Sequence, residues 1–219
     1  MANKWFVGTR TMAMVVTRTM ATDTNHGYKT GIKMNNELLV YKRKSYMDIG
    51  EIFFWTATIN KWQHLLMDDR YKDVIISSLE YLSREGKTDV FAFVIMPNHV
   101  HLIWRANEPN GKESAQGSFL KYTAHEFKKM LKREKPDELF NYASDAVNKA
   151  FEFWQRDPLA VALFRKKVAV QKLRYIHYNP LAEHWKLVSD PCDYKYSSAK
   201  YYELNKKEFE FLKDMYEEY

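Results

Sequence analysis

The fold of this chain is decided by residues 96–104, which read Met96-Pro97-Asn98-His99-Val100-His101-Leu102-Ile103-Trp104. An apolar run precedes them, and Pro97-Asn98 is typical of a turn, so the pattern predicts a hairpin. Side chains alternate along a strand, so His99 and His101 share one face while Val100 faces the other layer. Their Cα atoms would lie roughly 6.5–7 Å apart, which lets both imidazoles converge on one metal ion. A solvated strand face that happens to carry two polar residues is the alternative interpretation.

Apolar periodicity predicts the elements around this hairpin in the order strand, helix, strand, strand, helix, strand, with a further helix behind them. This order favours an α+β architecture, an antiparallel sheet with helices packed on one face, as in the ferredoxin-like and RNA-recognition (RRM-like) folds. Ser118 is expected to cap the second helix. The predicted strands are 52–59, 90–96, 99–105 and 159–164, and the predicted helices are 69–84, 118–134 and 168–178.

Three regions are predicted along the chain. Residues 1–46 are polar and irregular in pattern, and we expect an N-terminal appendage that is poorly ordered. Residues 47–205 carry the regular alternation of elements and form the main domain. Residues 206–219 are charged and amphipathic, which predicts a C-terminal surface helix.

Composition bounds the class of protein. The net charge of +6 suits a polyanionic partner such as a nucleic acid without requiring one. The single cysteine, Cys192, excludes an intramolecular disulfide and a cysteine-based zinc cluster, and it fits a reducing, cytoplasmic location. No apolar run reaches the length that a membrane span requires, so no membrane partner is expected.

A second group of chemical residues lies in the last predicted helix, at residues 173–180. Tyr175 and Asn179 are four residues apart and therefore share one helix face. A tyrosine hydroxyl can attack a phosphodiester, but its ordinary pKa of about 10 means that it needs help, which a divalent metal can supply. An amide oxygen from Asn179 with two imidazoles would suit Mg²⁺ or Mn²⁺. In the alternative interpretation Tyr175 packs against the sheet and Asn179 only ends the helix.

Four blocks of sequence, in this order and spacing, resemble one family. They are similar to the single-tyrosine transposases with a histidine–hydrophobe–histidine (HUH) motif, of the insertion-sequence type, and in particular to their REP-associated tyrosine transposase branch. The resemblance covers roughly residues 50–202, and the first 45 residues have no counterpart in it. The blocks are residues 96–104, Phe153-Trp154-Gln155-Arg156, Tyr175-Ile176-His177-Tyr178-Asn179-Pro180 and Asp193-Tyr194-Lys195-Tyr196-Ser197-Ser198-Ala199.

The resemblance implies an HUH transposase domain over residues 47–205 and roles for its residues. His99 and His101 would bind a divalent metal, Mg²⁺ or Mn²⁺, with Asn179 as third ligand. Tyr175 would be the nucleophile that cleaves single-stranded DNA near a hairpin, giving a 5′-phosphotyrosine link that a 3′-hydroxyl later reverses. The implied partner is hairpin-bearing single-stranded DNA, such as REP-like repeats, bound by a monomer or a homodimer.

Further residues in and near these blocks have structural or accessory interpretations. His177 is interpreted as structural, and Tyr178 as a reserve nucleophile. Trp104, Phe153, Trp154 and Arg156 could stack on bases, although a core role is favoured for Trp154 and a phosphate contact for Arg156. Phosphate contacts are predicted for Lys128, Lys132, Arg156, Arg165, Lys166 and Lys167, with a solvated helix face as the alternative for the two residues of the 118–134 helix.

Two other functions stay open from the sequence. The first is a non-catalytic DNA-hairpin-binding protein derived from a transposase, which would not need the histidines and Tyr175. The second is a small metallohydrolase in which the two histidines activate water, and which would keep its turnover without Tyr175.

Overall fold

The computed structural model describes residues 33–34, 37–38, 47–144 and 150–219. Two short strands, β1 (Lys33–Met34) and β2 (Glu37–Leu38), pair with each other in an N-terminal unit distinct from the main one. The rest of the predicted appendage, residues 1–46, lies outside the described residues.

The main unit is built on a four-stranded sheet that confirms the predicted α+β class. Its strands are β3 (Ile52–Thr58), β4 (Thr88–Met96), β5 (His99–Ala106) and β6 (Leu159–Ala162). They lie in the order β4-β5-β3-β6, and every neighbouring pair is antiparallel. This is the strand order of a ferredoxin-like βαββαβ unit, in which the first and third strands are central.

The register of the two central strands sorts their side chains onto two faces. Thr58 lies opposite His99 and Thr56 opposite His101, so these four side chains share one face. Trp55 pairs with Leu102, so it points to the other face. The turn at Pro97-Asn98 joins β4 to β5 and sets the register of that pair, with Met96 opposite His99, which confirms the predicted hairpin.

The face that carries Trp55 is covered by two helices, α1 (Asp69–Arg84) and α2 (Ala115–Glu134). The Phe119 ring of α2 lies 5.7 Å from Trp55 and 6.1 Å from Trp104 between ring centroids. The side chain of Ser114 accepts a hydrogen bond from the Gly117 amide and caps α2. The predicted cap at Ser118 is therefore wrong by about one helical turn, because the apolar pattern of α2 extends further toward its N-terminus.

Replacing Phe119 by alanine is expected to lower the free energy of unfolding by about 3–5 kcal/mol, because its ring is fully buried among three aromatic side chains. Urea unfolding followed by tryptophan fluorescence measures the change. Phe140→Ala is the matched control, since that ring is 71% exposed, and its effect should stay within about 0.5 kcal/mol. Equal losses in the two variants would contradict this description of the core.

The third long helix, α4 (Lys166–Tyr178), follows a single turn of helix, α3 (Pro136–Leu139), and packs on the other face of the sheet. Its Tyr175 ring lies 5.2 Å from the His101 ring and 5.9 Å from the Phe54 ring. The prediction that the helices pack on one face is therefore confirmed for α1 and α2 and wrong for α4, which packs on the opposite face. Periodicity identifies the apolar stripe of a helix, but it does not tell which face of a sheet the stripe covers.

The predicted C-terminal helix over residues 206–219 is wrong. The last helix, α5, spans Ala199–Leu204 and ends at Asn205, which has a left-handed φ of 52°. Beyond it the chain is irregular, with a turn at residues 209–211 and a 3-10 turn at Met215–Glu218. Phe209 and Phe211 pack on Phe93, at 4.9 and 5.7 Å between ring centroids, and the segment bonds the outer edge of β4. Contacts with the sheet edge thus override the local helical pattern.

No helix within the described residues is long and apolar enough to cross a bilayer.

Candidate functional site

A cleft of about 610 Å³ opens on the histidine face of the sheet, between the β4–β5 hairpin and the C-terminal end of α4. Its walls include all four residues that the sequence predicted as nucleophile or metal ligands: His99, His101, Tyr175 and Asn179. Tyr178, the reserve nucleophile, lies in the same wall. The packing of α4 on the histidine face of the sheet therefore brings two distant sequence blocks to one place.

The two histidines form a compact pair whose ring centroids are 4.6 Å apart. Nδ1 of His99 donates to Oδ1 of Asn98 at 2.7 Å, and Nδ1 of His101 lies 2.7 Å from the Thr56 hydroxyl. In the tautomer in which each Nδ1 carries the proton and donates, each Nε2 presents a lone pair that can bind a cation. Both side chains are more than nine-tenths buried, which corrects the interpretation of a solvated strand face.

Burial also sets the protonation of this pair. Burial, with a smaller contribution from the nearby His184, lowers the pKa of His99 to about 4. Burial, His99 and Lys172 together hold the pKa of His101 well below its usual value. Both imidazoles are therefore neutral at physiological pH, which is the form that binds a metal.

The residues present fit a divalent cation. Nε2 of His101 is buried and has no hydrogen-bond partner among the described residues, which is costly unless a ligand satisfies it. No group of three His, Cys, Asp or Glu side chains is gathered in the described part of the chain. The third donor at this cleft would accordingly be the amide of Asn179, which is 9% exposed. Two imidazoles and one amide oxygen leave positions open for phosphate and water.

Tyr175 is presented to this cleft from the last turn of α4. Its side chain is about half exposed, so the hydroxyl is accessible. Partial burial raises the pKa of Tyr175, and hydrogen bonding to Asn179 acts in the opposite direction. Activation of this phenol therefore requires positive charge nearby.

Lys172 supplies such a charge, and the sequence analysis missed it. Its Nζ lies 4.6 Å from the Phe54 ring centroid and 5.7 Å from that of Tyr175. Burial lowers the pKa of Lys172. Its position three residues before Tyr175 places it on the same helix face, so the spacing could have indicated it.

Three further cleft residues were missed: Trp62, His184 and Trp185. The Trp185 ring lies 6.0 Å from His99 and 5.4 Å from His184. His184 and Trp185 closely follow the Asn179-Pro180 turn in the sequence, and this nearness is only a weak indication that they line the site. Trp62 follows β3, and no signal in the sequence links it to the histidine hairpin.

His177 has a structural position, in agreement with its interpretation from the sequence. It is 1% exposed, and its Nε2 lies 2.9 Å from the hydroxyl of Ser198. The Ser198 hydroxyl in turn accepts from the Phe93 amide at 3.0 Å. This chain of contacts ties α4 to the edge strand β4 and joins the third and fourth sequence blocks.

Acidification is expected to destabilise the protein through His177, because burial lowers its pKa to about 4. Above pH 6.5 the imidazole is neutral in both states, whereas between pH 6.5 and 4 only the unfolded chain takes up the proton. The free energy of unfolding should therefore fall with pH across this window, by about 3 kcal/mol for this group. Urea unfolding at several pH values measures the slope.

His177→Gln should flatten the slope in part, because His99 and His101 contribute in the same direction and remain. The same substitution at His125, which is exposed, should leave it as in wild type. A wild-type slope in His177→Gln would contradict this assignment.

The residues predicted to contact phosphate do not gather at the cleft. Lys128 and Lys132 are exposed on α2, which covers the opposite face of the sheet. Arg156 pairs with Glu152 at 3.2 Å. Arg165, Lys166 and Lys167 are exposed at the start of α4, about 12–15 Å along the helix from Tyr175. Their contact with DNA remains a prediction.

The aromatic residues weighed for base stacking belong to the core. Trp104, Phe153 and Trp154 are at most 5% exposed. The indole of Trp154 donates to the Thr123 hydroxyl at 2.9 Å, so its polar atom is satisfied internally. A stacking role for these three is excluded by their burial.

Comparison with known proteins gives a likeness of structure rather than of sequence. No protein-family model matches the chain, and no curated protein sequence matches it. A solved REP-associated tyrosine transposase bound to a REP hairpin is similar with a TM-score of 0.51 and 18% identity, over 73% of this chain and 82% of the other. A candidate transposase from Deinococcus radiodurans R1 is similar with a TM-score of 0.37 and 17% identity, over 63% and 95% of the two chains. The chain therefore has the fold of a REP-associated tyrosine transposase, which confirms at the level of fold the resemblance carried by its sequence blocks.

Proposed function

We propose that this chain is a metal-dependent DNA transposase that cleaves and rejoins single-stranded DNA near hairpins through a 5′-phosphotyrosine intermediate. One observation carries the proposal: His99, His101, Tyr175 and Asn179 line a single cleft. The hairpin bound by the similar transposase makes a DNA hairpin the natural candidate substrate.

The proposed reaction begins at the hydroxyl of Tyr175. Its oxygen attacks the scissile phosphorus, a Tyr–O–P bond forms, and the bond from phosphorus to the 3′-oxygen breaks. The phenol loses one proton and the departing 3′-oxygen gains one, so charge and atoms balance. Attack by another 3′-hydroxyl on the phosphotyrosine reverses these changes and completes strand transfer, without ATP.

Neighbouring residues would prepare this step. The ammonium group of Lys172 lies close to the Tyr175 ring and favours negative charge on the phenol oxygen and on the phosphate. Thr56 and Asn98 orient the two imidazoles. His99, His101 and Asn179 would hold Mg²⁺ or Mn²⁺, which would neutralise charge on the scissile phosphate.

A hairpin-binding protein without catalysis is the alternative that the fold also allows. It gives no account of two buried, neutral imidazoles beside an accessible tyrosine, because phosphate binding alone calls for positive charge. A hydrolase that activates water would differ from the proposed transposase because it forms no covalent protein–DNA adduct.

The proposal is tested by covalent trapping. The protein is incubated with Mn²⁺ and a pool of labelled single strands that carry hairpins, and the products are separated on a denaturing gel. We expect a protein–DNA band that EDTA abolishes, and binding that weakens steeply as salt rises. Binding without any covalent band would favour the non-catalytic alternative, and cleavage without a band would favour the hydrolase.

A further inference from the structure

Among the tryptophans and tyrosines that line the cleft, Trp62 has the most exposed side chain. It lines the same cleft as the histidines and Tyr175, yet it is 60% exposed. Among the described residues the Trp62 ring has no close aromatic neighbour, in contrast to Trp185, which packs near His64, His99 and His184. An accessible indole in a cleft is a surface prepared for a flat ligand.

The backbone that carries this indole is held in an unfavourable conformation. Lys61 and Trp62 have φ values of 53° and 58°, which are uncommon for residues other than glycine and costly for a bulky one. The turn is closed by a hydrogen bond from the Trp62 amide to the Ile59 carbonyl at 3.0 Å. The strain presents a large apolar ring to solvent, so burial of the ring does not explain it.

Asn98 couples this turn to the histidine pair. Its Oδ1 accepts from Nδ1 of His99 at 2.7 Å, and its Nδ2 donates to the Trp62 carbonyl at 3.4 Å. One side chain thus fixes both the orientation of His99 and the position of the Trp62 backbone. The position of the indole is thereby fixed relative to the site where the phosphate would react.

We propose that Trp62 is a stacking platform for an unpaired nucleobase next to the scissile phosphate. This inference rests on the proposed function and adds a base-binding subsite to it. The cleft wall contains no carboxylate within the described residues, and the adjoining Lys61 is exposed without an ion pair to another described residue, so the surroundings favour a nucleotide. Stacking on an aromatic ring accepts any base, so the platform positions the strand rather than reading its sequence.

The test measures binding, separately from cleavage. Single strands that carry a hairpin are made with the fluorescent base 2-aminopurine at one flanking position at a time, and they are titrated with Tyr175→Phe protein, which cannot form the adduct. We expect quenching at one position beside the hairpin. In the Trp62→Ala background the quenching should vanish and the affinity should fall about tenfold, whereas Trp62→Phe should retain both.

Phe140→Ala is the matched control, because that ring is exposed outside the cleft, and it should behave as its parent. Thermal unfolding checks that Trp62→Ala keeps its fold, as expected for an exposed side chain. Unchanged affinity and quenching in Trp62→Ala would overturn the platform, even if the covalent adduct forms. If Trp62 quenches the probe but protein with Tyr175 intact forms no adduct, the base-binding subsite stands and the catalytic proposal is overturned. If no strand binds at all, the subsite and the catalytic proposal are both overturned.

Discussion

Tyr175→Phe is expected to abolish the covalent protein–DNA adduct and to reduce strand cleavage at least about a thousandfold, as removal of a nucleophile does in other covalent enzymes. The substitution removes one oxygen atom and keeps the ring, whose contacts with Phe54 and His101 remain. Hairpin affinity should therefore stay close to that of wild type. Quantitative gels for the adduct and a binding titration on the same oligonucleotide measure the two effects.

Tyr178→Phe provides the matched control. Tyr178 lies on the same helix, lines the same cleft and has the same exposed fraction of 49%. Its position three residues from Tyr175 does not bring it to the rings of the histidine pair, so cleavage should be retained. Loss of the adduct in Tyr178→Phe with retention in Tyr175→Phe would exchange the roles of the two residues.

His99→Ala and His101→Ala are expected to weaken Mn²⁺ binding at least about 100-fold and to abolish the adduct, because each removes one imidazole from the proposed ligand set. Isothermal titration with Mn²⁺ in the absence of DNA measures the first effect independently of catalysis. Both side chains are buried, so thermal unfolding must accompany the titration. His101→Gln is a second variant that fills more of the space against Phe54.

His125→Ala is the control for these variants, since His125 is exposed on α2, away from the cleft. It should bind Mn²⁺ as wild type does. Folded His99→Ala and His101→Ala proteins with unchanged Mn²⁺ affinity would contradict the metal site, and would favour a purely structural pair.

Local patterns predicted those parts of the fold that depend on neighbouring residues. The predicted bounds of α1 match the structure, because its apolar stripe, acidic cap and terminal Gly86 agree with one another. The hairpin was predictable from Pro97-Asn98 and from the alternation around His99 and His101. The covering of the β4 edge by residues 206–219 was not, because tertiary contacts of Phe209 and Phe211 decide it.

The site shows the same division. The pairing of Tyr175 with Asn179 follows from helical spacing. Their approach to His101 was one of two interpretations of the residues, and the family resemblance favoured it, since spacing does not tell which face of the sheet α4 covers. The position of Trp62 at the cleft was not predictable. It depends on the hydrogen bond from Asn98 to the Trp62 carbonyl, which joins residues 36 positions apart. The burial of the histidines, and with it their lowered pKa values, likewise depends on packing that periodicity does not reveal.

The most direct test of the central claim is to identify the tyrosine that carries DNA. The trapped adduct is digested with nuclease and trypsin and analysed by tandem mass spectrometry. Cleavage after Arg174 and Lys186 releases a peptide that contains both Tyr175 and Tyr178, and its fragments distinguish them. We expect a nucleotide joined through its 5′-phosphate to Tyr175. The same mass on Tyr178, or an unmodified peptide from protein that has cleaved its DNA, would contradict the account.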